Sequence, residues 1–210
     1  RAGVQYQRET FRCLTSDGKH CFWASGKRKT EYSYQLYMTS QNSDDINTIP
    51  LYEQIYALAG LAQYYRITLD WEVLDDIQRT IRTFNDYYLD LESKYGEKAF
   101  GDYFSHLDYA TLSWDSEALG DNQAKKNWNS IGDHIPAYLV NLMIALEPLP
   151  LANGGYEELQ QFLNICKKIL HTTSTIIIEH FPDPDPNVPF VNERFLRNWQ
   201  PDQTWRWQQN

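Results

Sequence analysis

The stretch that decides the fold is KKNWNSIGDHIPAYLVNLMIAL, residues 125–146. Its first half is polar and its second half is apolar with helical spacing. Leu139, Leu142 and Leu146 recur at positions i, i+3 and i+7, which lie on one face of an α-helix. The pattern therefore predicts a buried helix over about 130–147, preceded by a polar segment.

The start of this helix carries the first candidate for chemistry. Ser130 or Asp133 can act as the N-cap, and Pro136 is tolerated only in or near the first turn. These signals predict His134 at the helix mouth, where the helix dipole disfavours an imidazolium. A neutral imidazole at a pocket rim can act as a general base. The other interpretation stays open: His134 would then only hydrogen-bond a neighbouring loop.

Composition limits the classes of protein to which the chain can belong. Its 210 residues are 42% hydrophobic, which is enough for one domain with a core. The net charge of −9 argues against a nucleic-acid-binding surface. The apolar runs all fall short of the roughly 20 residues that a membrane span needs. We therefore predict a protein with neither a nucleic-acid partner nor a membrane span.

The cysteine pattern indicates a reducing compartment, and we expect a cytoplasmic protein. Three cysteines do not form a disulfide framework. Cys13 and Cys21 could pair across a hairpin, whereas Cys166 lies within a helical pattern and is expected to be a buried thiol. The spacing of Cys and His is not that of metal ligands, so we expect neither a metal site nor a cofactor.

Three further helices are predicted over 51–67, 71–92 and 156–179, and residues 1–30 are predicted to be a hairpin-like loop. Helix, short link, helix and long aromatic loop then occur twice, with starts about 80 residues apart. This alternation predicts an all-α fold of antiparallel helical hairpins with the long loops at one end. It fits an α/α toroid or an open α-solenoid, and the long strand-bearing loops favour the toroid.

The sequence resembles the N-acylglucosamine 2-epimerase family at several motifs. Residues 51–66, LYEQIYALAGLAQYYR, resemble a family helix that reads roughly Y-x-Q-A-F-x-I-Y-A-L-A-E-Y-Y. Residues 101–104, GDYF, resemble its G-G-x-F/Y strand start, and residues 130–138 match a helix opening close to N-x-H-M-H-L-L-E-A. Residues 199–209 resemble the segment before the next histidine motif. The resemblance covers most of residues 51–210.

The resemblance implies an (α/α)6 barrel that epimerises or isomerises a sugar at the carbon next to the carbonyl, with histidines as general acid and base. His134 matches the second histidine of H-x-H. Gly132 stands in place of the first histidine, and Ala137 in place of the helix glutamate. The family's Q-x-R is at best QLY, residues 35–37, which lacks the arginine. The later histidines would follow residue 210.

Several residues on the long loops are candidates for binding the sugar. Trp114, Trp128 and Trp199 can stack on a sugar ring or pack the loops onto the barrel rim. Asn129 can hydrogen-bond sugar hydroxyls, and His106 can line the same funnel or stabilise a turn.

Three interpretations of function follow from the sequence. The favoured one is a sugar epimerase or isomerase with His134 as its catalytic residue and a small sugar as its partner. The second is a non-catalytic carbohydrate-binding or scaffold toroid that has lost the site. A glycoside hydrolase on the same barrel would need two carboxylates across the funnel, and no such pair stands out.

The family's barrel is larger than this chain. Residues 1–210 are therefore expected to form a single incomplete barrel domain. An incomplete ring exposes an apolar edge, which would favour association, for example as a homodimer.

Overall fold

Helices dominate the computed structural model, which describes residues 1–91, 98–147 and 156–204. This confirms the mostly helical fold expected from the sequence. In the described ranges, no helix is both long and apolar enough to cross a membrane. The α-helices are α1 (Ala2–Phe11), α2 (Leu51–Thr68), α3 (Trp71–Thr83), α4 (Ile135–Leu146) and α5 (Tyr156–His180). A π-helical turn, Phe84–Tyr88, follows α3, and a π-helical segment, Trp128–His134, leads into α4.

Short strands join the connecting segments in antiparallel pairs and form no extended sheet in the described residues. The pairs are β1 (Arg12–Leu14) with β2 (Cys21–Trp23), β3 (Gly26–Lys29) with β4 (Tyr34–Tyr37), β5 (Thr48–Pro50) with β6 (His106–Asp108), and β7 (Lys125–Asn127) with β8 (Arg194–Leu196). Two 3-10 turns, Ser43–Asp45 and Glu117–Asn122, lie in the loops.

A tight link turns α2 back into α3. Leu69 adopts the left-handed conformation with φ 54°, and its N–H donates to the carbonyl of Tyr65, which ends α2. Asp70 then caps α3, because its side chain accepts a hydrogen bond of 3.1 Å from the backbone N–H of Glu72. A link this short makes α2 and α3 antiparallel neighbours.

Helix α4 packs against both α2 and α5. His134, just before α4, contacts Tyr56 in the second turn of α2, so α2 and α4 start at the same end. The pairing of β7 with β8 joins the long loop before the π-helical segment to the loop that follows α5. The long loops therefore meet at the end where α2 and α4 begin.

The core lies between the helices and consists of aliphatic side chains that are almost fully buried. Each such side chain stabilises the fold by about 1.5–3 kcal/mol through apolar burial. The central ones are Leu58, Leu61, Ile77, Ile81, Leu139 and Leu142. In contrast, Val140 and Ile144 on α4 are 43% and 46% exposed.

The prediction of a loop over residues 1–30 is wrong at its start, where α1 forms. Asp76 of α3 is 1% exposed and holds this helix: Arg8 lies 2.6 Å from its carboxylate and Arg12 lies 3.0 Å away. Residues 2–11 have only a weak apolar pattern, so the sequence did not predict this helix, which two ion pairs hold in place.

The prediction of one helix over 71–92 is also too long. The helix widens into the π-helical turn at Phe84, and Leu89 is already extended, bridging to Tyr103. The Tyr88 hydroxyl donates to the carbonyl of Ile49 at 3.0 Å. The chain that follows α3 therefore leaves the helix early and pairs with the loops.

The thiols of Cys13, Cys21 and Cys166 are free. Cys13 and Cys21 do lie on neighbouring strands, as the hairpin pattern indicated. However, Cys13 stands opposite Phe22 and Cys21 stands opposite Leu14.

Candidate functional site

Neither Ser130 nor Asp133 caps the segment that carries His134. Asn127 is the N-cap, and its side-chain oxygen accepts a hydrogen bond of 2.9 Å from the backbone N–H of Ser130. The helical segment therefore begins at Trp128, and His134 lies more than one turn inside it. The prediction of His134 at the helix mouth is wrong. The dipole argument loses its support, because the dipole effect falls off within the first turn.

Hydrogen bonds engage both ring nitrogens of His134. Nδ1 contacts the backbone carbonyl oxygen of Asn129, and Nε2 lies 2.9 Å from the hydroxyl of Tyr56. A carbonyl oxygen can only accept, so Nδ1 carries the hydrogen in this contact. In the neutral ring Nε2 then presents a lone pair, which accepts from the Tyr56 O–H. The Asp133 carboxylate is 3.9 Å from Nδ1, too far for a hydrogen bond.

The two members of this pair differ in exposure. The His134 side chain is 17% exposed, whereas Tyr56 is 56% exposed. Their rings meet edge to face at 4.8 Å. Tyr56 is therefore the more exposed member of the pair.

A second histidine is connected to the pair through Asp45 and Tyr52. The Tyr52 ring packs edge to face on Tyr56 at 5.7 Å, and the Tyr52 hydroxyl donates to Asp45 at 2.7 Å. The other Asp45 oxygen lies 2.6 Å from Nε2 of His106, which is 3% exposed. Burial acts to raise the pKa of Asp45, but the hydrogen bonds from His106 and Tyr52 outweigh it and lower this pKa. His106 is thus a buried member of a hydrogen-bonded chain.

Two of the loop tryptophans are packed inside the protein. They belong to a group that we call the loop cluster: Asp90, Phe104, Trp114, Lys126, Arg197 and Trp199. Trp114 is 7% exposed and stacks on Phe104 at 3.9 Å with an interplanar angle of 7°. Trp199 is 6% exposed, and its indole N–H donates to the carbonyl of Phe100 at 2.8 Å. These contacts pack the loops together, which is one of the two roles that the sequence left open for the tryptophans.

An ionic group lies at the centre of the loop cluster. Lys126 and Asp90 are both 0% exposed and 3.0 Å apart, and Arg197 adds a contact of 2.9 Å to Asp90. Burial lowers the pKa of Lys126 to about 8 despite the nearby Asp90. The Lys126 ammonium also lies 4.5 Å from the Trp199 ring centroid. Lys126 therefore holds the two long loops together.

Asp102 lies beside this ionic group, but fewer hydrogen bonds offset the cost of burying its carboxylate. Its Oδ1 accepts from Tyr103 N–H at 3.0 Å and from the Thr173 hydroxyl at 3.3 Å. Its Oδ2 is buried and has no hydrogen-bond partner in the part of the chain that the structure describes. Burial raises the pKa of Asp102 to about 7, against the opposing effect of Lys126.

Trp128 packs against Gly132 on the same helical segment. The indole ring of Trp128 lies over Gly132, so that a Cβ at position 132 would fall well inside van der Waals contact with the ring. Trp128 also meets Phe181 at 5.4 Å. The space that a side chain at 132 would need is filled by tryptophan.

His134, Trp128 and Asn129 lie on one helical segment. The backbone carbonyl of Asn129 contacts His134, whereas the Trp128 ring packs on Gly132 and Phe181. Trp114 and Trp199 lie in the loop cluster, and His106 is connected to His134 through Asp45 and Tyr52, whose ring lies 6.0 Å from the His134 ring. Sequence reasoning missed Tyr56. Its signal was present, because Tyr56 is a polar-tipped side chain that falls off the apolar stripe of α2.

Across residues 1–91, 98–147 and 156–204, no group of three or more His, Cys, Asp or Glu side chains is placed to hold a metal ion.

Comparison with known proteins gives one informative result. No family model matches the sequence, and no curated protein matches it. Among solved structures, a sugar epimerase from a ruminal bacterium matches with a TM-score of 0.53 and 18% sequence identity. The match covers 94% of this chain and 41% of the epimerase. The chain thus spans less than half of that protein and shares its fold over the matched part.

Proposed function

We propose that this chain forms part of an (α/α)6 barrel that epimerises or isomerises a sugar at the carbon next to its carbonyl. The observation that supports the proposal is the state of His134: its Nδ1 is bound to a backbone carbonyl, and its Nε2 accepts from the Tyr56 hydroxyl. The fold shared with a sugar epimerase supports the choice of substrate class.

The chemistry follows from this tautomer. Abstraction of a proton next to a carbonyl needs a proton acceptor whose tautomer and orientation are fixed. The Asn129 carbonyl fixes the state by holding the hydrogen on Nδ1. His134 accordingly supplies a base at Nε2 and, after it takes a proton, an acid that can return it.

The neighbours of His134 provide contacts for the sugar. Asn129 is exposed and its amide can bind hydroxyls, and Trp128 offers a partly buried ring on the same segment. Trp114, Trp199 and His106 act in this proposal by shaping the rim and not by stacking on the sugar.

The barrel itself is the second part of the proposal. Helices α2 and α4 lie side by side and start at the same end, as inner helices of an α/α barrel do. The exposed Val140 and Ile144 on α4 would face further helices of the ring. A second copy of the chain could also cover them, which keeps the expectation of a homodimer as a proposal.

The test is exchange of carbon-bound hydrogen with solvent. The full-length protein is incubated in D2O with N-acetylglucosamine, N-acetylmannosamine, glucose or mannose, and the signal of the hydrogen next to the carbonyl is followed by proton NMR. We expect exchange with at least one sugar, and a loss of about 10²- to 10⁴-fold in His134→Ala. His171→Ala, an exposed histidine on α5, is the matched control and should retain the rate.

One observation favours the non-catalytic alternative. Gly132 replaces the first histidine of the family motif, and Trp128 fills its place. If no sugar exchanges hydrogen but one of them binds, the protein is a carbohydrate-binding toroid. His134→Ala would then change stability by about 1 kcal/mol through its lost hydrogen bonds and have no other effect.

A further inference from the structure

The hydrogen bonds of His134 leave it no nitrogen that a substrate can reach directly. The Asn129 carbonyl occupies Nδ1, and the Tyr56 hydroxyl, at 2.9 Å, occupies Nε2. The His134 side chain is 17% exposed, whereas Tyr56, which hydrogen-bonds Nε2, is 56% exposed. A proton from a sugar therefore meets the Tyr56 oxygen before it meets the imidazole.

From this geometry we propose that Tyr56 is a catalytic residue, the group that exchanges the proton with the sugar, and that His134 acts through it. This inference rests on the sugar reaction proposed above. It goes beyond that proposal because it assigns the proton exchange with the sugar to Tyr56 and not to His134.

The proton transfer balances without any further reactant. The hydrogen next to the carbonyl leaves as a proton and binds the Tyr56 oxygen. Its bonding electron pair moves into the carbon skeleton and gives an enolate. At the same time the hydroxyl proton of Tyr56 passes to Nε2 of His134, which becomes an imidazolium. The reverse transfer restores both side chains, and the product depends on which carbon and which face receives the proton.

The surroundings suit this role. An alcohol or phenol paired with an oriented imidazole is the general form of an activated hydroxyl group in enzymes. The Asn129 carbonyl orients the imidazole, and the Tyr52 ring, held by the hydrogen bond to Asp45, packs against the Tyr56 ring. Contacts with His134 and with the Tyr52 ring therefore hold the Tyr56 side chain in place.

The first experiment reads the hydrogen bond without any substrate. Long-range ¹H–¹⁵N NMR spectra of the His134 ring are recorded for the wild type, Tyr56→Phe and Tyr109→Phe. Tyr109 is a matched control, 52% exposed on a loop. We expect hydrogen on Nδ1 in all three proteins. The Nε2 resonance should move toward that of a lone pair without a donor in Tyr56→Phe only. Hydrogen on Nε2 in the wild type, or an unmoved resonance in Tyr56→Phe, overturns the relay.

The second experiment measures solvent-deuterium exchange on the sugar with the same three full-length proteins. We expect Tyr56→Phe to lose about 10²- to 10⁴-fold in the maximal rate with little change in KM, and Tyr109→Phe to match the wild type. If the wild type exchanges and Tyr56→Phe keeps its rate, the relay is wrong while the sugar reaction stands. If the wild type exchanges with no sugar, both fail.

Discussion

The loop cluster and the His134–Tyr56 pair combine similar side chains in different surroundings. In the loop cluster the aromatic rings of Trp114 and Trp199 enclose charged groups that are 0% exposed. In the pair, a tyrosine that is 56% exposed donates its hydroxyl hydrogen to a ring nitrogen of a histidine. The comparison teaches that burial decides the role of such residues. Rings and charges that satisfy each other inside the protein hold loops together, whereas a polar group that keeps one side open to solvent can react.

The largest expected effect comes from removing the carboxylate of the loop cluster. Asp90→Ala leaves Lys126 and Arg197 without their shared anion in a buried place, and we expect the free energy of unfolding to fall by about 3–5 kcal/mol. Asp86→Ala is the matched control: this carboxylate is 52% exposed and pairs with His20, so it should cost less than about 1 kcal/mol. Urea unfolding measures both. Equal losses would mean that Lys126 and Asp90 do not form a buried pair.

The second prediction uses pH. The pKa of Asp102 is raised from 3.8 to about 7 in the folded protein, so the folded state holds a proton that the unfolded state releases between these values. The contribution of Asp102 to stability therefore falls as the pH rises from about 4 to about 7, by at most about 1.4 kcal/mol per pH unit, and is constant above this window. Unfolding measured against pH should show a smaller decline in Asp102→Asn than in the wild type. The exposed control Asp44→Asn should follow the wild type, and an unchanged profile in Asp102→Asn would exclude the raised pKa.

The third prediction concerns the N-terminal helix. Asp76→Ala removes the carboxylate that holds Arg8 and Arg12, and we expect a loss of about 2 kcal/mol because one partner of the pair is buried and the others are partly exposed. Asp75→Ala removes an exposed pair with Arg79 on the same helix and should cost no more than about 0.5 kcal/mol. Hydrogen exchange of the amides of α1 should accelerate in Asp76→Ala alone. Protection of α1 that survives the substitution would show that another contact holds it.

The last comparison uses two helical glycines, and the change at Gly60 is among the smallest expected effects. Gly132→Ala forces the Trp128 ring to move and should destabilise the protein by about 1–3 kcal/mol. Gly60→Ala on α2 meets only the end of the Gln7 side chain at 3.9 Å, and should stabilise the protein by about 0.5–1 kcal/mol through helix propensity. Thermal unfolding of the two variants shows whether each substitution raises or lowers the stability. A neutral Gly132→Ala would mean that Trp128 does not rest on position 132.

Periodicity in the sequence predicted the helices well because their apolar faces are continuous. The bounds of α2 and α5 differ from the prediction by one residue, and the alternation of short and long links predicted the hairpins. The start of the third predicted helix was displaced because Asn127 is the cap, and α1 was missed. Its place depends on ion pairs with Asp76, more than 60 residues away, and a local pattern contains no such information.

The candidate site was predicted in part. A motif identified His134, but its environment comes from Tyr56 on another helix, 78 residues away in the sequence. Trp114 and Trp199 were candidates for binding a ligand, and the burial of Lys126 was not foreseen, because sequence shows residue type and not burial. Lys126 is the clearest case, since a lysine between polar residues is normally exposed.

The measurement that tests the account most directly compares His134→Gln with Trp114→Phe, one variant from each region. Both are assayed for solvent-deuterium exchange on the sugar and for urea unfolding. The account predicts that His134→Gln loses about 10²- to 10⁴-fold in exchange rate with stability nearly unchanged. Trp114→Phe should keep the exchange rate while its free energy of unfolding falls by about 1–3 kcal/mol through lost packing in the loop cluster. Full exchange by His134→Gln, or loss of exchange by a folded Trp114→Phe, would contradict the division of roles between the two regions.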